Sequence, residues 1–197
     1  MKNLFLLILM LLASFSFAQN NPIDFERGGN GANWTWTVFE NDTNPPLEIT
    51  PNTTGEGDYF NKIAKFTALD LGQNWAGCET TDIGEFTFDA SNSTVKIRVF
   101  KTVASDVRIK FEGTSAPVEI NVANTITDSW EELTYDFSAY IGNTYSKLVI
   151  FPDFASRDQD NIIYFDDITF SAIILPTEPI VAAPVPTEDA VDVISIY

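Results

Sequence analysis

Thr94-Val95-Lys96-Ile97-Arg98-Val99-Phe100 and, after a five-residue link, Asp106-Val107-Arg108-Ile109-Lys110-Phe111-Glu112 alternate apolar and polar residues without a break. Side chains point to opposite faces of a strand in turn, so a period of two marks a strand with one buried face. Val95, Ile97 and Val99 take one face and Lys96 and Arg98 the other. Val107, Ile109 and Phe111 are likewise opposed to Arg108 and Lys110. The short link Lys101 to Ser105 predicts a hairpin, with the four cations side by side on one face. Like charges directly opposite destabilise a sheet. That face therefore needs Glu131 and Asp136 from another strand, or an external anion.

The same period recurs outward in both directions. Thr35 to Phe39, Lys62 to Thr67, Trp130 to Phe137, Lys147 to Phe151 and Ile162 to Phe170 all read as strands. In the segment from Trp130, Leu133, Tyr135 and Phe137 form the core set with Glu131, which leaves Trp130 at the surface or a sheet edge. Turn formers separate the strands: Gly28-Gly29-Asn30-Gly31, Asn44-Pro45-Pro46, Gly55-Glu56-Gly57-Asp58, Ser91-Asn92-Ser93 and Gly142-Asn143. After the first eighteen residues no segment keeps a helical period over three turns. The expected fold is all-β, a two-sheet antiparallel β-sandwich of the jelly-roll kind.

The closing strand carries a burial puzzle. In Tyr164-Phe165-Asp166-Asp167-Ile168 one acid falls on each face, so whichever face is covered takes a carboxylate with it or holds one at its rim. An unpaired buried carboxylate is costly and finds a cation or a proton. A bound metal and a solvated pair at a strand end both remain open on these residues alone. Pro152 is expected to stop the preceding strand, leaving Phe151 and Asp153 near a sheet rim. The loop Arg157-Asp158-Gln159-Asp160-Asn161 is rich in oxygen ligands but lacks the glycine and distal glutamate of a calcium loop.

Met1 to Ala18 has the layout of a secretory signal: Lys2, an apolar run from Leu4 to Leu12, and Ser16-Phe17-Ala18 as cleavage site. The run is too short to anchor in a membrane, so the expected location is secreted or cell surface, with no membrane insertion. Residues 20–174 have the size of one domain. Residues 175–187 hold four prolines and read as an extended linker. Residues 188–197 read as the truncated start of a second module or as a flexible tail. Removing the signal takes one cation and no acid from 11 basic and 28 acidic residues, leaving a net charge of −18. Such a surface repels nucleic acid and anionic membrane, and suits a neutral ligand or a metal cation. The chain has no histidine, which excludes imidazole-dependent triads and His-bearing zinc sites. Cys78 has no partner and no activating base, and reads as a small buried residue.

Aromatic residues make up 13% of the chain, and their placement is informative. Trp75 sits in Gly72-Gln73-Asn74-Trp75-Ala76-Gly77, where flanking glycines let it stand clear. Tyr59 follows a glycine-rich loop, and Trp34 and Trp36 share a strand face. Sugar rings stack on exposed aromatics while their hydroxyls seek amides, carboxylates and guanidinium groups. Trp75 with Gln73 and Asn74 offers both kinds of contact, and each tryptophan has core packing as the competing reading. On the cationic face, Arg98 and Lys110 read either as solvated residues neutralised by neighbouring acids or as a polar floor for a saccharide.

Pro22-Ile23-Asp24-Phe25-Glu26, Asn41-Asp42-Thr43-Asn44-Pro45-Pro46, Ile63-Ala64-Lys65-Phe66, Trp75-Ala76-Gly77, Trp130-Glu131-Glu132-Leu133-Thr134-Tyr135-Asp136-Phe137 and Tyr164-Phe165-Asp166-Asp167-Ile168 occur in that order. With them, residues 22–174 resemble the galactose-binding-like jelly-roll carbohydrate-binding modules of secreted marine Bacteroidetes carbohydrate-active proteins. The resemblance implies a non-catalytic polysaccharide-binding module, commonly attached to a glycoside hydrolase, with a structural calcium tying the first strand to the last. Carried onto this chain it implies Glu26 with Asp166 or Asp167 as metal ligands and Trp75 as a stacking residue. It also places Phe151 and Asp153, separated by Pro152, where relatives have an aromatic–acid pair. Ala183 to Ala190 with Val193-Ile194-Ser195 looks like the entry to a second module, a neighbour C-terminal to residue 197. The competing expectations are a structural or adhesive β-sandwich that binds no sugar, and a small polysaccharide lyase or glycosidase working through carboxylates.

Overall fold

The computed structural model describes residues 21–57 and 61–172. Its strands are β1 (Thr37–Phe39), β2 (Glu48–Pro51), β3 (Lys62–Ala68), β4 (Gly77–Thr80), β5 (Phe86–Thr87), β6 (Thr94–Lys101), β7 (Asp106–Glu112), β8 (Val118–Ala123), β9 (Trp130–Asp136), β10 (Thr144–Tyr145), β11 (Lys147–Phe154) and β12 (Asn161–Ser171). One five-stranded sheet runs β2-β3-β12-β6-β9 and a second β1-β4-β11-β7-β8, with β5 and β10 as a short ribbon. All the strand pairings are antiparallel. The expected two-sheet antiparallel sandwich is the observed fold.

Each periodic segment turns its apolar set inward. Val95, Ile97, Val99, Leu133, Tyr135, Phe165 and Phe66 from one sheet meet Val107, Ile109, Phe111, Leu148, Ile150 and Cys78 from the other, all 3% exposed or less. One end is filled by rings: Phe88 lies 5.2 Å from Phe86, Phe111 and Phe137. Burying one such ring contributes about 2–3 kcal/mol. Tyr135, whose hydroxyl would otherwise be stranded in the core, donates to the Val107 carbonyl at 2.9 Å and so bonds one sheet to the other.

The β6–β7 link is not a hairpin. β6 pairs with β12 and β9, whereas β7 pairs with β11 and β8. The link is an arch between sheets, so Lys96 and Arg98 face outward on one side of the sandwich and Arg108 and Lys110 on the other. Alternation fixes which side of a strand is buried but not which strand lies beside it. Each cation also has an acid at hand: Lys96 with Glu132 (2.6 Å), Arg98 with Asp167 (3.3 Å), Arg108 with Glu119 (2.7 Å) and Lys110 with Glu112 (2.5 Å). Glu131 and Asp136, the expected counter-charges, instead accept from Thr125 and Ile126 and from Ser138.

Two further features bear on the site, the first of them a correction. Pro152 does not stop β11, which continues to Phe154 through an irregularity between Phe151 and Phe154. And the first segment closes on the last strand: Ile23 and Ile168 exchange backbone hydrogen bonds of 2.8 and 3.0 Å.

Candidate ligand-binding rim

Two loops at one end of the sandwich form the rim. After β1 the chain turns sharply, with Glu40, Asp42 and Asn44 all at positive φ (56°, 52° and 51°). Asparagine and aspartate tolerate this backbone because their side chains bond locally, and the Asn44 side chain accepts from the Asn41 N–H at 2.8 Å. Asn41 itself is fully buried. Its amide donates to the Thr67 carbonyl (2.7 Å) and accepts from the Leu69 N–H (2.8 Å), stapling this loop to the end of β3.

Residues 69–76 make the second loop. The Gly72 N–H bonds back to Leu69 (3.0 Å), the Gln73 N–H reaches the Glu40 carbonyl (2.7 Å), and the Ala76 N–H closes a turn on Gln73 (2.9 Å). Ala76 is buried, and Leu71 and Trp75 stand out at 74% and 47% exposed. Glu40, Asp42, Asn44, Leu71 and Gln73 line an open polar hollow. Gln73 belongs both to that wall and to the turn that carries Trp75 and exposed Asn74. The anchored turn thus presents an exposed indole and the exposed Asn74 amide, and through Gln73 it borders a hollow that holds carboxylates. Stacking and hydrogen bonding of this kind suit a polyhydroxylated ring.

Of the residues expected from sequence, Gln73, Asn74 and Trp75 share this rim. Tyr59 lies outside the described residues. Arg98 is on the outer face of the β12 sheet, its guanidinium 5.1 Å from the Trp130 ring. Lys110 is on the opposite outer face, in its ion pair with Glu112. Phe151 is only 7% exposed, packed edge-on at 5.7 Å against Phe39 and at 5.9 Å against Phe154. Asp153 is not a surface acid. It is 1% exposed and belongs to an internal ionic network. Because β11 runs on past Pro152, Asp153 is carried inside. Trp34 and Trp36 stack on each other at 6.3 Å and pack against the core. Trp36 also donates to the Gly31 carbonyl at 3.0 Å. Trp130 is half-buried, with its indole N–H on Thr54 at 3.1 Å.

The network around Asp153 contains two residues that the sequence reading passed over, Lys101 and Arg157. The Asp153 carboxylate accepts from Ser105 and, at 2.9 Å, from Asn161. It also faces the Lys101 ammonium at 3.6 Å and the Arg157 guanidinium at 3.3 Å. Burial pushes the Asp153 carboxyl up, but the Asn161 and Ser105 bonds and the two cations outweigh it and hold it below the usual carboxylate range. Burial takes the Lys101 amine down to about 8 against the pull of Asp153. The signal was present in β6: alternation from Val95 puts Lys101 on the inward face, and an inward lysine demands a buried acid.

At the proposed first-to-last closure, Asp166 is 7% exposed and its Oδ1 has no hydrogen-bond partner. Burial, then the charges of Asp167 and Glu26, push its carboxyl up to about 7 against the Asp167 N–H and Arg98. Asp167 takes a positive φ of 48° in the irregularity between Asp166 and Thr169, and its carboxylate meets Arg98. Glu26 accepts the Lys62 N–H at 2.6 Å. Among the described residues no set of three or more acidic, histidine or cysteine side chains converges to hold an ion. Cys78 is fully buried, and burial raises its thiol well above the usual range.

No family model matches the chain, and no curated protein matches it. Solved structures do. An exo-β-agarase is similar over 78% of this chain and 25% of its own, with TM-score 0.54 and 9% identity. A variant of a family 29 carbohydrate-binding module is similar over 79% of this chain and 93% of its own, with TM-score 0.50 and 9% identity. A family 61 module in complex with β-1,4-galactotriose gives TM-score 0.47 at 13% identity, over 77% and 95%. The structural neighbours thus include carbohydrate-binding modules, and at these identities the likeness is one of fold.

Proposed function

We propose that residues 20–174 are a non-catalytic polysaccharide-binding module of an exported carbohydrate-active protein. The observation that carries this reading is Trp75, 47% exposed on an anchored turn that also carries exposed Asn74 and Gln73, the last of which lines a polar hollow. Exposing a tryptophan forfeits its burial, and an apolar ring rimmed by polar groups suits a ligand with one apolar face. Affinity electrophoresis against agarose, xylan, β-glucan and β-1,4-galactan tests the reading. Retardation of the wild type by at least one of them, lost in Trp75→Ala with unchanged folding, is the expected result. No retardation by any of them sinks it and favours a structural or adhesive module.

We further propose a structural calcium held by Glu26 and Asp166, with backbone carbonyls completing the shell. The donor chemistry fits: calcium takes hard oxygen ligands, and the orphaned Asp166 Oδ1 is a buried acceptor beside a second carboxylate. Bound there, the ion would neutralise the carboxylates and tie the first segment to β12, with no part in a reaction. A higher Tm with Ca²⁺ than with chelator is expected, the difference vanishing in Glu26→Ala. Identical melting in both conditions would remove the site.

A further inference from the structure

We propose that Arg157 is a positioning residue for the ligand-binding rim, coupling the orientation of the Trp75 loop to the buried ionic network beneath it. The inference rests on the binding role of Trp75 argued above and adds a residue that touches no ligand.

The Arg157 side chain is 2% exposed, yet it lies in a loop four residues after Asp153. Its guanidinium works in two directions. Downward, it donates to the Asp153 carbonyl at 2.7 Å and faces the Asp153 carboxylate at 3.3 Å. Upward, one nitrogen donates at 3.1 Å to both the Leu69 and the Gln73 carbonyls. Those two carbonyls bracket exposed Leu71, and the second also accepts the Ala76 N–H that closes the turn around Trp75. The neighbouring Asp160 carboxylate accepts the Asp70 N–H at 2.9 Å, a second tether from the same loop.

The guanidinium is suited to this work because its planar fork presents several donors in fixed directions, whereas an ammonium is a point charge on a flexible stem. It is held in turn by Asp153, which Lys101, Ser105 and Asn161 lock in place. The Lys101 amine bonds the Ser105 carbonyl at 3.3 Å, and Ser105 is fixed by Asn124 through its N–H at 3.0 Å. The chain of contacts therefore runs from β6 and β11 through Arg157 to the backbone that carries Trp75. Fixing a binding loop in advance lowers the entropy lost on binding.

Hydrogen exchange of the rim amides tests the proposal in wild type and Arg157→Gln, with Arg157→Lys as the second variant if the first does not fold. Gly72, Gln73 and Ala76 amides are expected to lose about tenfold in protection, while central amides such as Ile97 and Phe165 change less than about twofold. Retardation by the polysaccharide that binds wild type is expected to weaken about tenfold as well. Unchanged rim exchange overturns the proposal. So does an equal loss across the whole sandwich, or a loosened rim with undiminished binding. A wild type that no polysaccharide retards overturns the binding reading alone, and rim exchange still decides whether Arg157 holds the loop.

Discussion

Asp153 and Asp166 are both aspartates in late strands, both less than a tenth exposed, and their surroundings drive them apart. Two cations and two hydrogen bonds keep Asp153 ionised; burial and two like charges favour a proton on Asp166. Replacing Asp166 with neutral, near-isosteric asparagine removes a carboxylate that is unfavourable without a metal. In chelator at neutral pH, Asp166→Asn is therefore expected to melt no lower than wild type and to lose any calcium response; a lower Tm in chelator would contradict this account. Lys101 gives a pH test. Its folded pKa of about 8 lies below the unfolded value of about 10.4, so the unfolded chain binds more protons between them. From this group, stability rises with pH across that window. The Tm of wild type relative to Lys101→Met should climb from pH 7.5 to 10, and parallel Tm lines would refute it. The sequence exposed Trp75, Gln73 and Asn74 through their glycine-flanked loop, and marked the acids of β12. It did not expose Arg157, because nothing local says that a loop arginine folds inward onto two carbonyls 84 and 88 residues away.

At the scale of elements, strands with clean alternation were legible: β6, β7, β9 and β12 lie where their period put them. β4 was not: it is four residues beginning at a glycine and too short to show a period. β8 does alternate, Val118, Ile120 and Val122 against Glu119 and Asn121, and its period was a signal left unread. Strand partners were also out of reach, since the β6–β7 arch and a hairpin leave the same inward pattern. Gly77 shows what pairing demands. A Cβ there would stand 2.5 Å from the Ile150 carbonyl oxygen and 2.9 Å from the Phe39 ring, so β4 approaches β11 as closely as it does because no side chain intervenes. Gly77→Ala is expected to destabilise by about 1–3 kcal/mol in urea unfolding, with the loss concentrated in the β1-β4 edge. An unchanged midpoint would show that β4 can shift freely.

For the whole molecule, charge and fold point the same way. The chain after Ala18 carries a net −18, and the cations on both outer faces already meet acids. The outer faces thus form a mosaic of local pairs, and an anionic or sulfated glycan would meet repulsion from the surface as a whole. Binding at Trp75 is expected to favour neutral polysaccharide and to change less than about twofold between 50 and 500 mM salt, since stacking and neutral hydrogen bonds are little screened. A steep fall in affinity with salt would indicate a cationic site instead.

The backbone bonds between Ile23 and Ile168 also fix how such a unit can be wired into a host. Because the entering segment runs antiparallel to the exiting strand, the polypeptide comes in and goes out side by side. A domain with that geometry can be spliced into a single exposed turn of an unrelated protein without prising the turn apart, and its old termini can be bridged and new ones opened elsewhere. The pairing that closes the sandwich thereby gathers both ends of the folded unit on one narrow stem, at the end of β12 opposite Asn161 and the rim loop stapled beside it.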